Sequence, residues 1–484
     1  MRNRNNLYPN YSDYIKEIDE NGITPALLVN IMQRHRNNTE YTKQLHERYN
    51  CLEESVPIFN REPRFNNAAI NRKINNDFFS EIVDFKTGYF AGKAASYGYS
   101  KTEESEVITG GTENIEKATK ALTDFITRNN MYDIDMQATK YAAIAGYAGR
   151  LFYHDTEGNE RVVVLPAYEV IILANNNISE PEYAIRHYKL KDVGGKETLY
   201  VEFYSRDSIK FYEGTIGLLE LVNEVDNLYD FCPLQGIANN DEMLGDAEKV
   251  LSLIDAYDRT ISDSSNEIES SANSYMVFEN VSISDDEIQK AQNTGAIQFY
   301  SGSSGGKVYF LNKDINGSFI ENYLDRIMNN IYRFSKTINL NDDNFTQAAS
   351  GISLKYKLLG LEAKCGMFEA KMTSAAVYMF KLLCSSWNKK GTQSDYLQCY
   401  VEFSRNFPLD IASEAQAVQQ LMAAGLPKRI AWEQLSFIND MDYVFQLLEE
   451  EKEDIPSLMD YDEKLDQNEQ EAQNQQEHEQ ENTK

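Results

Sequence analysis

The longest pattern in the chain is an apolar repeat at Leu354, Leu358, Leu361, Cys365, Phe368, Met372, Ala375, Met379 and Leu382. The steps alternate between four and three residues, a heptad seam without a skip, which predicts one helix over 350–388. Lys355, Lys357, Glu362, Lys364, Glu369 and Lys371 fall off the seam, and Ser350 stands where a capping side chain is wanted. Such a helix would be about 55 Å long, well beyond the usual three or four turns. Gly360 and Gly366 each weaken it by roughly 1 kcal/mol and predict a bend. A polar run at 338–349, with neither Gly nor Pro, leads into it. By itself the pattern fits a buried core helix behind an ordinary loop as well as anything more specialised.

Elsewhere the period changes along the chain. The first 21 residues are polar and Tyr-rich and suggest a loose arm. Thr24-Pro25 opens a helix running to Tyr49, and 56–76 looks extended. Short helices are expected near 78–88, 115–129 and 136–148. From 151 to 212, β-branched and aromatic runs bounded by turn residues predict strands at 151–154, 161–165, 170–173, 183–188, 198–204 and 209–212. Strands in an antiparallel meander beside helices make an α+β domain. At 241–270 an apolar stripe returns, with nine acidic residues set against Lys249 and Arg259. A strand near 274–278, a short helix at 285–294 and a hairpin pairing 297–300 with 308–311 follow. A helix over 318–337 returns, so two helices flank a β-rich tip. A short strand at 397–403 and helices at 413–424 and 427–448 precede a Gln/Glu/Asn-rich end expected to be disordered.

The net charge of −29 would repel nucleic acid unless basic groups are concentrated locally. Over 449–484 there are 14 acidic and 3 basic residues. The acidic helix at 241–270 reads either as a solvated face or as a like-charged wall along which DNA slides without lasting contacts. The 31 Tyr and 23 Phe suit extensive subunit interfaces. The five cysteines form no C-x-x-C pair, which argues against a zinc site or a disulfide framework. No apolar run approaches the ~20 residues that a membrane helix needs.

Motifs for catalysis fail on context. Gly302-Ser-Ser-Gly-Gly306 matches a nucleophile elbow in letters, but strands are expected on both sides of it rather than a strand and a helix. Gly305-Gly-Lys307 lacks the first glycine of a phosphate loop and is followed by Val308. The five histidines show no obvious partner, and Asp342-Asp343 is better read as a solvated turn than as a metal site. No catalytic residue, metal ligand or cofactor is expected.

Three blocks carry a resemblance. One is 75–93, with Ile82-Val-Asp-x-Lys86-Thr-Gly-Tyr89-x-x-Gly92-Lys93. The second is Cys232-Pro-Leu234 with Asn239-Asn-Asp241 and Leu253-Ile-Asp-Ala-Tyr-Asp-Arg-Thr-Ile-Ser-Asp263. The third is Ser350-Gly-Ile-Ser-Leu-Lys-Tyr-Lys-Leu-Leu-Gly-Leu-Glu-Ala-Lys364. In this order, over about 25–450, the chain resembles the portal proteins of tailed bacteriophages, particularly those from phages of Gram-positive hosts.

The resemblance implies the phage portal fold, assembled as a ring, dodecameric in assembled portals, at one capsid vertex of the virion. Double-stranded DNA would be packaged and ejected through it. It implies an N-terminal arm (1–21), a wing (22–240), a stem helix (241–270), a clip (271–317), a second stem helix (318–337), a tunnel loop (338–349), a long helix (350–388), a connection (389–410), crown helices (411–455) and an acidic tail (456–484). Expected partners are the terminase packaging motor, a head-completion or adaptor protein, and the major capsid and scaffolding proteins, with no membrane. Asn339, Asn341, Asp342, Asp343, Asn344 and Gln347 would face DNA, and Arg333 and Lys336 would touch phosphates transiently. Synthesis in the host bacterial cytoplasm is implied too. The competing reading is a non-catalytic oligomeric scaffold or adaptor with the seam as a plain coiled coil. A nuclease or nucleotide hydrolase has little support.

Overall fold

The computed structural model describes residues 8–63, 70–100, 111–271, 275–280, 305–311, 317–339, 351–406 and 411–432, with scattered positions between 284 and 289 and between 434 and 448. The chain divides into two compact units, Met1–Asn406 and Phe407–Lys484.

The first unit opens with α1 (Ser12–Asn21) and α2 (Pro25–Tyr49). The expected loose arm over 1–21 therefore becomes a packed helix from Ser12 onward, because Tyr11, Ile15 and Ile18 make a narrow apolar stripe that is buried. Thr24 caps α2 by accepting from the Leu27 N–H at 3.2 Å, and Pro25 stands at the first helical position. After α3 (Phe78–Ala91) and β1 (Ser96–Tyr99) come α4 (Thr112–Asn129) and α5 (Met131–Ala145). α3 runs past Gly88, where its end was expected, because Phe90 and Ala91 bury the next turn.

Eight strands follow: β2 (Tyr147–His154), β3 (Glu160–Pro166), β4 (Val170–Leu173), β5 (Tyr183–Lys191), β6 (Glu197–Tyr204), β7 (Ser208–Thr215), β8 (Leu218–Asp226) and β9 (Leu234–Ala238). They form two antiparallel sheets, ordered β3-β2-β9 and β4-β5-β6-β7-β8. The meander is as expected through β7. β8 and β9 extend it, and β8 was missed because Leu218, Leu221, Val222 and Val225 are exposed and break the inside–outside alternation. α1 and α2 pack on the larger sheet through Leu28, Ile31, Ile171, Ile185, Val201 and Phe203. A second core joins α3, the end of α5, the smaller sheet and later helices through Phe79, Ile82, Leu151, Leu234, Ile254 and Ile331.

The remainder of this unit is α6 (Leu251–Ser271), β10 (Tyr275–Glu279), β11 (Lys307–Leu311), α7 (Gly317–Ser335), α8 (Gly351–Lys389) and β12 (Cys399–Glu402). β11 pairs antiparallel with β10, from Tyr275 opposite Leu311 to Glu279 opposite Lys307, rather than with 297–300, which lies outside the described residues. β12 pairs with β1. α8 is continuous through Gly360 and Gly366, where a bend was expected. From Leu358 to Leu382 every seam position is buried within this one chain, so the seam is a core face and is not open to a zipper partner. In the second unit lie α9 (Ile411–Ala423) and α10 (Lys428–Trp432), with Trp432 stacked on Phe445 at 5.7 Å. The helix expected over 427–448 thus starts at Lys428 as a short segment. No helix among the described residues is long and apolar enough to cross a membrane.

Of the histidines that showed no partner in the sequence, His35 and His46 are buried and His154 and His187 half-buried. Tyr11 Oη and Tyr147 Oη lie 2.5 and 3.3 Å from the two ring nitrogens of His35. Burial lowers His35 to about 3, and His46 and His187 to about 4. The folded protein keeps these rings neutral while the unfolded chain protonates near 6.5, so their contribution is complete above that pH and is lost as pH falls. Each should cost about 2 kcal/mol of stability on going to pH 5. Thermal unfolding between pH 7.5 and 5 should show a falling midpoint, less steep for His35→Gln; a flat wild-type profile would contradict this.

Candidate functional site

The polar run at 338–349 is held by what flanks it. α7 ends in a turn that its own backbone specifies. Lys336 is left-handed (φ 60°), and the Thr337 N–H bonds the Tyr332 carbonyl at 3.1 Å, the six-to-one closure of a Schellman motif. The Ser335 carbonyl, one of the groups that a helix end leaves unpaired, accepts from Lys364 Nζ at 2.9 Å. A cation there also suits the negative end of the helix dipole. Lys364 stands on α8, three turns inside its start. The last residue of α7 is thereby tied to the side of α8, and Lys336 passes Gly360 at a distance where a Cβ would make only ordinary contact, 3.7 Å.

Lys364 also belongs to a buried charge cluster. Its Nζ lies 2.9 Å from Asp246 Oδ1, and Lys86 Nζ on α3 lies 3.1 Å from Asp246 Oδ2. Lys86 donates to Asn239 Oδ1 at 2.5 Å, and Asn239 Nδ2 donates to Asp246 Oδ1 at 3.1 Å and to the Leu244 carbonyl at 2.7 Å. The Lys86 ammonium also stands 4.3 Å from the Phe368 ring centre, a cation–π distance. Burial would raise the Asp246 carboxyl, but the two ammoniums outweigh it and hold it below its ordinary value. Burial lowers Lys86, and Asp246 opposes that shift.

The loop carrying Asn239 and Asp246 reaches this place by close backbone contact. Asp246 N–H bonds the Ala143 carbonyl at 2.7 Å, and Asn239 N–H bonds the Gly146 carbonyl at 2.8 Å. A Cβ on Gly146 would lie 1.9 Å from the Met243 carbonyl oxygen, and one on Gly245 would lie 2.3 Å from that of Ile144. Only glycine fits at either position.

Of the expected DNA-facing residues, Asn341, Asp342, Asp343, Asn344 and Gln347 lie outside the described residues. Asn339 is half-buried just after α7. Arg333 and Lys336 are exposed on the final turn of α7 and its cap, with the Arg333 guanidinium 5.7 Å from the Phe334 ring centre. The structure therefore brings Arg333, Lys336 and Asn339 together at the mouth of the run.

The acidic helix is not a bare negative wall. The end of α2 and residues at 61 and 72–76 beyond it lie along α6 and answer its charges in turn. Arg48 pairs with Asp255, Arg61 with Asp263, and Arg72 with Glu269 at 2.7 Å. Asn76 donates to Asp258 through its backbone and side chain at 2.8 and 3.0 Å, and the Ile74 N–H donates to Ser262 Oγ at 3.0 Å. Asp241 pairs with Lys371, and Asp246 is in the buried cluster. The sliding-wall reading fails for these side chains, since their charge is already matched from within the chain. Among the described residues no group of three or more His, Cys, Asp or Glu could hold a metal ion.

Comparison with known proteins places this geometry. The family model for phage portal proteins of the SPP1 Gp6-like type matches residues 33–457. A portal protein of Bacillus phage SPP1 is 22% identical over 406 residues, covering 79% of this chain and 76% of that protein. A portal protein of Clostridium phage phiCD119 is 23% identical over 427 residues, covering 83% and 89%.

Asp246→Asn should destabilise the protein by about 3–5 kcal/mol, because it leaves the buried ammonium of Lys86 and the half-buried one of Lys364 without a counter-charge. Lys364→Met, which leaves Asp246 paired with Lys86, should cost less. Lys336→Gly should instead gain about 1 kcal/mol by relieving a left-handed non-glycine residue. Urea unfolding of the three variants checks the order, and an Asp246→Asn variant as stable as wild type would contradict it.

Proposed function

The chain belongs to the SPP1 Gp6-like family of phage portal proteins, and from that premise we propose how its parts divide the work of passing double-stranded DNA into and out of a capsid. Copies assemble as a closed ring, a dodecamer in the particle, at one vertex of the virion. A closed ring needs a heterologous interface, in which two different faces of each copy meet. Tyr356, Leu359 and Met367 on α8, and Leu218, Leu221, Val222 and Val225 on β8, are exposed apolar side chains suited to such faces. The seam of α8 is already used in its own core, which argues against the coiled-coil scaffold.

The α+β region to about residue 240 forms the wing, α6 and α7 the stem, and the β10–β11 insert the clip. The packaging motor and later the head-completion protein dock on the clip. The capsid and scaffolding proteins contact the ring around it, and α9 and α10 belong to the crown. The run 338–349 is the tunnel loop. The observation that carries this assignment is the double anchoring of the α7 end from which that run departs: α7 is stopped by a left-handed cap, and Lys364 fastens its end to α8. A polar segment fixed in this way at its entry, ahead of a long rigid helix, is suited to meeting a moving duplex. Asn341, Asn344 and Gln347 offer hydrogen bonds without strong electrostatic capture. Asp342 and Asp343 repel phosphates, and exposed Arg333 and Lys336 give transient attraction. We assign no catalysis to the chain; the ATPase activity belongs to the motor. Synthesis takes place in the cytoplasm of the host.

Electron micrographs of the purified protein should show rings with a central hole wide enough for duplex DNA. Monomers or rods without a hole at every protein concentration would overturn the assignment.

A further inference from the structure

The end of α8 turns back on itself under firm control. The Thr392 N–H bonds the Trp387 carbonyl at 2.9 Å. Asn388 Oδ1 accepts from the Ser394 N–H at 2.7 Å, and Asn388 Nδ2 donates to the Ser394 carbonyl at 3.0 Å. The Asp395 N–H then donates to Tyr99 Oη on β1 at 3.1 Å. This reversal lays β12 alongside the last turns of α8. Cys399, at the start of β12 and opposite Tyr99 in the ladder, reaches the Cys384 side chain, and the two thiols share a hydrogen bond. Cys384 is buried, Cys399 is partly exposed, and both are free. The site already described uses neither of them.

We propose that Cys384 and Cys399 are an oxidisable pair that forms an intramolecular disulfide, stapling the end of α8 to the β1–β12 sheet. The hydrogen bond between the two side chains shifts Cys384 towards thiolate and Cys399 towards thiol. The oxidant is a peroxide. The Cys384 thiolate attacks one peroxide oxygen and the O–O bond breaks, giving a sulfenic acid and hydroxide, which becomes water on taking up a proton. The Cys399 sulfur then attacks the sulfenic sulfur, the S–S bond forms, and a second water leaves. Two thiols and one peroxide thus give one disulfide and two waters.

The closed loop is about 15 residues long, short enough for the crosslink to restrict the unfolded chain without rearranging the fold. Resting on the portal reading, the pair would stay reduced in the cytoplasm of the host and oxidise once the particle has left it, after the ring is built. The chemistry itself does not depend on that reading.

The test treats the full-length protein with hydrogen peroxide, blocks remaining thiols under denaturing conditions, and reads intact mass and digested peptides. The expected result is loss of two reactive thiols of the five, a peptide pair joined through Cys384 and Cys399, and a higher melting midpoint reversed by a thiol reductant. Cys384→Ser and Cys399→Ser should each abolish the joined peptides and the midpoint shift while melting like reduced wild type. Five reactive thiols after oxidation, a disulfide elsewhere, or over-oxidation of Cys384 with no joined peptide would overturn the proposal. If a serine variant misfolds, the wild-type peptide map decides alone. Rings in micrographs without the crosslink would reject this proposal and leave the portal assignment standing.

Discussion

The interaction on which the rest depends is the buried carboxylate of Asp246 between two ammoniums. Burial works against the charge on Lys86 in this place, because it penalises an isolated ion heavily. Asp246 opposes that penalty and also pairs with Lys364, while Asn239 accepts from Lys86 and donates to Asp246 Oδ1. Well-packed apolar side chains could have been more stable. What the cluster supplies is direction. Lys86 fixes α3, Asp246 fixes the loop that leads into α6, and Lys364 fixes α8 and, through the Ser335 carbonyl, the end of α7. Four elements far apart in sequence thus meet around one point, and the polar run after α7 starts from there.

The three stretches that carry the family resemblance each reach this cluster: Lys86 from the first, Asn239 from the second, and Lys364 from the third, with Asp246 inside the span of the second. Their likeness to portal proteins lies in an order of short blocks with no chemistry attached. The structure gives them a common physical task, which is to hold the approach to α6, the end of α7 and the side of α8 in one geometry. The match of the portal family model over 33–457 is consistent with a chain organised around such a junction.

The long helix was legible because its signal is local and periodic, and its seam is buried as the spacing requires. The central strands were legible for the same reason. Where the signal was not local, the sequence misled. α1 hid its stripe, Tyr11, Ile15 and Ile18, among polar neighbours. The acidic helix looked like an unbalanced wall because Arg48, Arg61 and Arg72, which pair with it, lie about 200 positions earlier in the chain. Lys86, Asp246 and Lys364 each look like surface charges, and only their meeting in space makes them core residues. Arg333 and Lys336, the expected phosphate contacts, are exposed where the helix stops, but nothing in their spacing marked the left-handed cap there.

The central claim is that the run following α7 faces DNA in transit. Its most direct test places a photocrosslinking side chain at Asn341, Asn344 or Gln347, one at a time, with Leu190, exposed on β5, as a control. Particles are arrested during packaging and irradiated. The account predicts crosslinks to DNA from the three run positions and none from position 190. Crosslinks from position 190 alone, or from none of the run positions in particles that package normally, would contradict it.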